Sequence, residues 1–92
     1  MLINIRFESQ LRRLAGCDRT SVDVHASTSL EQIVQQVAKE GTEPLRDALL
    51  DERESVRASI LVFFDNELVS KGESLVLQDG LELTLTTLIS GG

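Results

Sequence analysis

The stretch T-S-L-E-Q-I-V-Q-Q-V-A-K-E-G, residues 28–41, decides the fold. Leu30, Ile33, Val34, Val37 and Ala38 recur at the i, i+3, i+4 spacing that makes one apolar stripe along a helix. Thr28 followed by Glu31 reads as a capping box, in which each side chain satisfies a free backbone N–H of the first turn. Gly41 reads as the left-handed residue that ends the helix. The spacing predicts a helix over residues 29–40. A single helix covers only one face of a sheet, so whatever strands flank it must form a layer with one helical side.

Strand patterns do flank it. Residues 2–8, L-I-N-I-R-F-E, put Ile3, Ile5 and Phe7 on one face and Asn4, Arg6 and Glu8 on the other. Residues 10–16, Q-L-R-R-L-A-G, read as a turn or single helical turn with Leu11 and Leu14 inward. Val22 and Val24 alternate with polar neighbours over 20–26, completing an N-terminal hairpin. After the helix, Pro44 near the first turn of residues 43–50 predicts a second, shorter helix with Leu45, Ala48 and Leu49 inward. Residues 59–64, S-I-L-V-F-F, form the strongest strand pattern. Asp65-Asn66 opens a turn into a short edge strand over 67–69, and Lys71-Gly72 turns again. Asp79-Gly80 precedes the last alternation, Leu81, Leu83 and Leu85 against Glu82, Thr84 and Thr86. The reading is an α+β layer with four to five strands, comprising a domain over 1–87 and a flexible tail over 88–92. Five consecutive apolar residues at 60–64 leave at least two side chains pointing away from the helix. Leu61, Val62, Phe63 and Phe64 are therefore a candidate partner patch.

Composition narrows the function. At 92 residues there is room for one small domain. A formal charge of −6 with no Trp or Tyr argues against binding a phosphate backbone or stacking on bases. One cysteine excludes a disulfide framework and fits a reducing compartment. Without an apolar run long enough to span a bilayer, and with Arg6 and Glu8 near the start, the expectation is a cytoplasmic protein with neither leader nor membrane anchor.

Few side chains suggest catalysis. Cys17 lacks a base to activate it, and Arg13 and Arg19 are near only in sequence. His25 has no second ligand at metal spacing. Asp51, Glu52 and Glu54 read as a solvated loop, and Arg12-Arg13 is a weak signal for an acidic partner. Ser29-Leu30 at a helix start resembles the phosphopantetheine site of acyl carriers, but those are all-helical and this chain has strands. No metal site and no bound cofactor are expected.

The end of the chain, Gly91-Gly92, carries more. At ordinary glycine frequency, two in a row at one chosen end is roughly a 0.5% coincidence. Five residues after the last strand reach at most about 17 Å, enough to enter a narrow channel. Glycine lets the main chain lie close to catalytic groups on every side. The group offered there is the terminal carboxylate, a poor acyl donor until ATP converts it to an adenylate. The chain has no nucleotide-binding loop, so a partner enzyme must do that work.

The order of elements, with L-Q-D-G-L-E-L-T-L-T-T-L-I-S-G-G at the end, resembles the ubiquitin-like sulfur carriers of the MoaD/ThiS family, across essentially the whole chain. The resemblance implies a β-grasp fold, a mixed sheet with one main helix on one face. It implies a carrier rather than an enzyme, with Gly92 adenylated by a ubiquitin-activating-type adenylyltransferase using ATP and then converted to a thiocarboxylate. Gly91 keeps the tail slim, and Leu88, Ile89 and Ser90 lie in the partner's channel. In the molybdopterin branch the sulfur passes, in the large subunit of molybdopterin synthase, to the dithiolene of the molybdenum cofactor. Thr86-Thr87-Leu88 is closer to the tRNA-thiolation carrier. Sulfur supply for thiamin or cysteine synthesis and conjugation to lysines as a modifier also remain open.

Overall fold

The structure is a computed structural model and describes residues 1–70, 72 and 75–88. Among the described residues eight elements follow in order: β1 (Leu2–Phe7), α1 (Gln10–Ala15), β2 (Arg19–Asp23), α2 (Leu30–Glu40), α3 (Glu43–Leu49), β3 (Ile60–Phe64), β4 (Glu67–Val69) and β5 (Glu82–Thr87). The strands form one mixed sheet in the order β2-β1-β5-β3-β4. β1 and β2 make an antiparallel hairpin, β5 lies parallel to β1 in the middle, and β3 runs antiparallel to both β5 and β4.

The expected helix starts one residue late. Ser29, not Thr28, is the N-cap: its hydroxyl accepts from the Gln32 N–H at 3.1 Å, while the Gln32 side chain accepts from the Ser29 N–H at 2.9 Å. Thr28 instead accepts from the His25 N–H at 3.1 Å, closing the preceding turn. The two overlapping candidate boxes are chemically equivalent, and the turn before the helix chooses between them.

Gly41 also differs from expectation. Its φ of −95° and ψ of −166° are extended, not left-handed. A Cβ there would lie 2.8 Å from Leu45 Cδ2 and 3.1 Å from the Val37 carbonyl oxygen. Glycine is needed for the close approach of α3 to the end of α2. The left-handed cap occurs at Gly16 after α1, with φ 76°, where the amide donates to the Arg12 carbonyl at 3.1 Å.

One core fills the space between the helices and one sheet face. Ile3, Ile5, Phe7, Val22, Ile60, Val62, Leu83 and Leu85 meet Leu11, Leu30, Ile33, Val34, Val37, Leu45 and Leu49, all essentially inaccessible. The inward set agrees with the sequence reading of β1, β2 and β5. Among the described residues no polar or charged side chain belongs to the buried set. Between the helices and β3, the Leu50–Val56 bridge and an Asp51 turn order the chain.

Candidate functional site

Strand parity divides β3. Ile60 and Val62 are buried and Phe64 packs partly against the core, so these three face the helices. Leu61 and Phe63 point to the side without helices. This corrects the candidate patch: Val62 is 0% exposed and belongs to the core, and Phe64 shares its face. Five apolar residues in a row do not show their parity, whereas the sheet register does.

The helix-free face extends the pair into a patch that the sequence reading did not assemble. Phe63 is opposite Leu68 on β4 and Thr84 on β5, and Leu61 is opposite Thr86. Leu68 is 60% exposed and Leu88 63%. The missed residue, Leu68, has an available signal: in Glu67-Leu68-Val69 it has the parity opposite to the strand's core-facing Val69. The other half of the same face is polar. Ser21 Oγ donates to Asn4 Oδ1 at 2.9 Å, Asn4 Nδ2 donates to the Gly80 carbonyl at 3.2 Å, and Arg19 lies 3.9 Å from Glu82. An apolar field beside a polar, charged border is the composition of a protein-docking surface.

Leu88 links this patch to the chain's end. Its N–H donates to the Ser59 carbonyl at 2.7 Å, carrying the β3–β5 ladder one residue past β5. The residue read from sequence as the first of the tail is thus tied to the sheet by its backbone. Ile89, Ser90, Gly91 and Gly92 lie outside the described residues. From Leu88, four residues span at most about 14 Å whatever their conformation.

The remaining candidates are placed without forming a site. Cys17 is exposed and borders a cavity of about 410 Å³ between β2 and the end of α2. Arg12 lies 3.8 Å from Asp18, an exposed contact of little energy. Asp51 Oδ1 accepts from the Ser55 and Arg53 N–H groups at 3.0 and 2.8 Å, and these two bonds hold its carboxyl below the usual range. Glu54 meets Lys39 and Arg46 at 3.9 and 4.0 Å. Among the described residues, no three His, Cys, Asp or Glu side chains are arranged to hold a metal, and no helix is long and apolar enough to cross a membrane.

No protein-family model and no curated protein matches the sequence. Solved structures do match the fold. The crystal structure of SAMP1 from Haloferax volcanii superposes with a TM-score of 0.83 at 21% identity, covering 100% of both chains. Urm1 from Trypanosoma brucei gives 0.71 at 24% identity, covering 99% of this chain and 95% of that one. A Pyrococcus furiosus protein provisionally assigned as molybdopterin converting factor, subunit 1, gives 0.72 at 15% identity over 97% and 99%. The chain has the ubiquitin-like β-grasp fold, which it shares with these three proteins.

Proposed function

We propose that this protein is a sulfur carrier whose reactive group is the carboxylate of Gly92. The observation that supports it most is the placement of Leu88. A β-grasp domain anchors Leu88 to Ser59 at the margin of a partly exposed apolar patch, and the third and fourth residues after it in the sequence are Gly91 and Gly92. A partner docking on Leu61, Phe63 and Leu68 would have the last glycine within about 14 Å of that anchor.

The chemistry requires two steps at the partner. The Gly92 carboxylate attacks the α-phosphorus of ATP, releasing pyrophosphate and leaving an acyl adenylate. A hydrosulfide equivalent then displaces AMP and leaves a thiocarboxylate. ATP belongs to the partner, a ubiquitin-activating-type adenylyltransferase, and the carrier itself holds no cofactor. The acceptor we favour is the dithiolene precursor of the molybdenum cofactor, reached in a molybdopterin synthase large subunit. Sulfur transfer to tRNA, thiamin or cysteine precursors uses the same thiocarboxylate. The site of action is the cytoplasm.

A second reading has support of its own, because SAMP1-type structural neighbours are described as small archaeal modifier proteins. There the adenylate is captured by a lysine amine instead of sulfide, giving an isopeptide. Deleting Gly92 tests both readings against a plain interaction module. ATP–pyrophosphate exchange by the cognate adenylyltransferase should be lost while the fold is retained, whereas unchanged exchange would remove the carrier and modifier readings together.

A further inference from the structure

Ser9 holds a backbone conformation that its side chain opposes. Its φ of 56° and ψ of −139° lie in the mirror-image extended region, open to glycine and costly to any residue with a Cβ. Among the described residues the other non-glycine residues with positive φ are Glu54, Asp65 and Asn66. Asp65 and Asn66 form the two-residue turn between β3 and β4, where positive φ suits the twist of the hairpin. Glu54 closes the Asp51 turn, its N–H donating to the Asp51 carbonyl at 3.0 Å. Ser9 is the second residue of a turn closed by the Leu11 N–H donating to the Glu8 carbonyl at 3.2 Å, a position that glycine fills without opposition. It stands at the N-cap of α1, yet its hydroxyl makes no capping hydrogen bond.

That hydroxyl reaches across the sheet instead. It shares a hydrogen bond with the Thr86 hydroxyl at 3.2 Å. Just before it, the Glu8 N–H donates to the Leu85 carbonyl at 3.0 Å, a main-chain rung beyond the end of β1. Ser9 therefore adds a side-chain rung one residue further along β5. On the other flank, the Leu88 N–H is bound to the Ser59 carbonyl. The last described turn of chain before Gly92 is held from both sides. A glycine at position 9 would take the same backbone conformation without opposition, but it would leave Thr86 without this partner.

We infer that Ser9 is a positioning residue. Serine stands at this glycine-type turn position because its hydroxyl fixes Thr86, and with it the course of the chain from β5 to Leu88, where the tail sets out. This rests on the carrier reading above, since only then does the course of the chain to Leu88 affect a reaction. The cost of the backbone conformation and the benefit of the hydroxyl then have opposite signs in one substitution.

The test is Ser9→Gly in the full chain. It should melt no lower than the wild type, because the opposed backbone is relieved. Its Leu88 amide should nevertheless exchange with solvent about three- to tenfold faster, the range expected for losing one hydrogen bond. In ATP–pyrophosphate exchange with the adenylyltransferase, kcat should fall by a similar factor with KM unchanged, since the docking patch is intact. Thr86→Val should show the same loss, Thr86→Ser should retain wild-type values, and the Ser9→Gly/Thr86→Val double variant should lose no more than either single one. Wild-type Leu88 exchange in Ser9→Gly, a lower melting temperature, or additive losses in the double variant would overturn the inference. Amide exchange needs no partner. If the wild type supports no adenylation, the carrier reading falls on that result, while the tie between Ser9 and Thr86 is still decided at Leu88.

Discussion

Phe63 and Leu68 are direct cross-strand partners on the sheet face that no helix covers among the described residues, while Val62, one residue away, is sealed in the core. Apolar neighbours in one strand therefore have opposite roles. Phe63→Asp or Leu68→Asp should leave the folded domain intact and weaken docking to the adenylyltransferase, raising KM by tenfold or more if either is an anchor of the interface. Val62→Asp should abolish the folded state, because it places an unpaired charge in a core without polar partners. Circular dichroism beside the exchange kinetics separates the two. Unfolding by Leu68→Asp would mean the patch is structural.

Glycine has two different uses on either side of the core. Gly41→Ala keeps an accessible backbone but presses a methyl group against Leu45, and thermal melting should show a loss of about 1–3 kcal/mol. Gly16→Ala meets open space but must hold φ 76°, a loss of about 1 kcal/mol. Replacing Leu45 with Ala in the Gly41→Ala background should cost less than Leu45→Ala alone, since the crowding is removed. Losses that simply add would contradict the close-approach account.

The Asp51 turn supplies a pH dependence. Ser55 and Arg53 N–H groups favour the carboxylate, so its pKa in the folded protein lies below the ordinary 3.8. A depressed carboxyl contributes stability that is fully present above the unfolded value and is lost as pH falls through the folded one. Asp51→Asn should therefore melt below the wild type at neutral pH, with the gap closing below about pH 4. A gap that widens in acid would reverse the assignment.

The tail offers its own substitution. Gly91→Val adds a β-branched side chain next to the reacting carboxylate and narrows the backbone's range. Adenylation by the partner should be blocked, with binding through Leu61 and Phe63 retained. Normal turnover would contradict a narrow channel at that point.

How much of this was legible in the sequence depends on how many partners a feature needs. The α2 stripe from Leu30 to Ala38 and the alternation of Ile3, Ile5 and Phe7 report burial through local spacing, and both were readable. The N-cap slipped from Thr28 to Ser29 because neighbouring hydroxyls offer equivalent caps. Gly41 ends α2 where the pattern places it, but through close approach rather than a left-handed turn, since the packing of Leu45 against it is invisible along the chain. The parity of residues 60–64 and the joining of Leu68 and Leu88 to Phe63 depend on register between strands. Ser9 left no signal, because an ordinary serine announces neither its positive φ nor a partner 77 residues away.

The most direct measurement is the intact mass of the protein before and after incubation with its cognate adenylyltransferase, ATP and sulfide, with the modified residue located by fragmentation. The carrier account predicts replacement of one oxygen by sulfur, confined to Gly92 and absent without ATP. An unchanged mass, with an enzyme shown to be active in adenylate formation on this chain, would contradict it. A Gly92–lysine isopeptide under the same conditions would establish the modifier reading in its place.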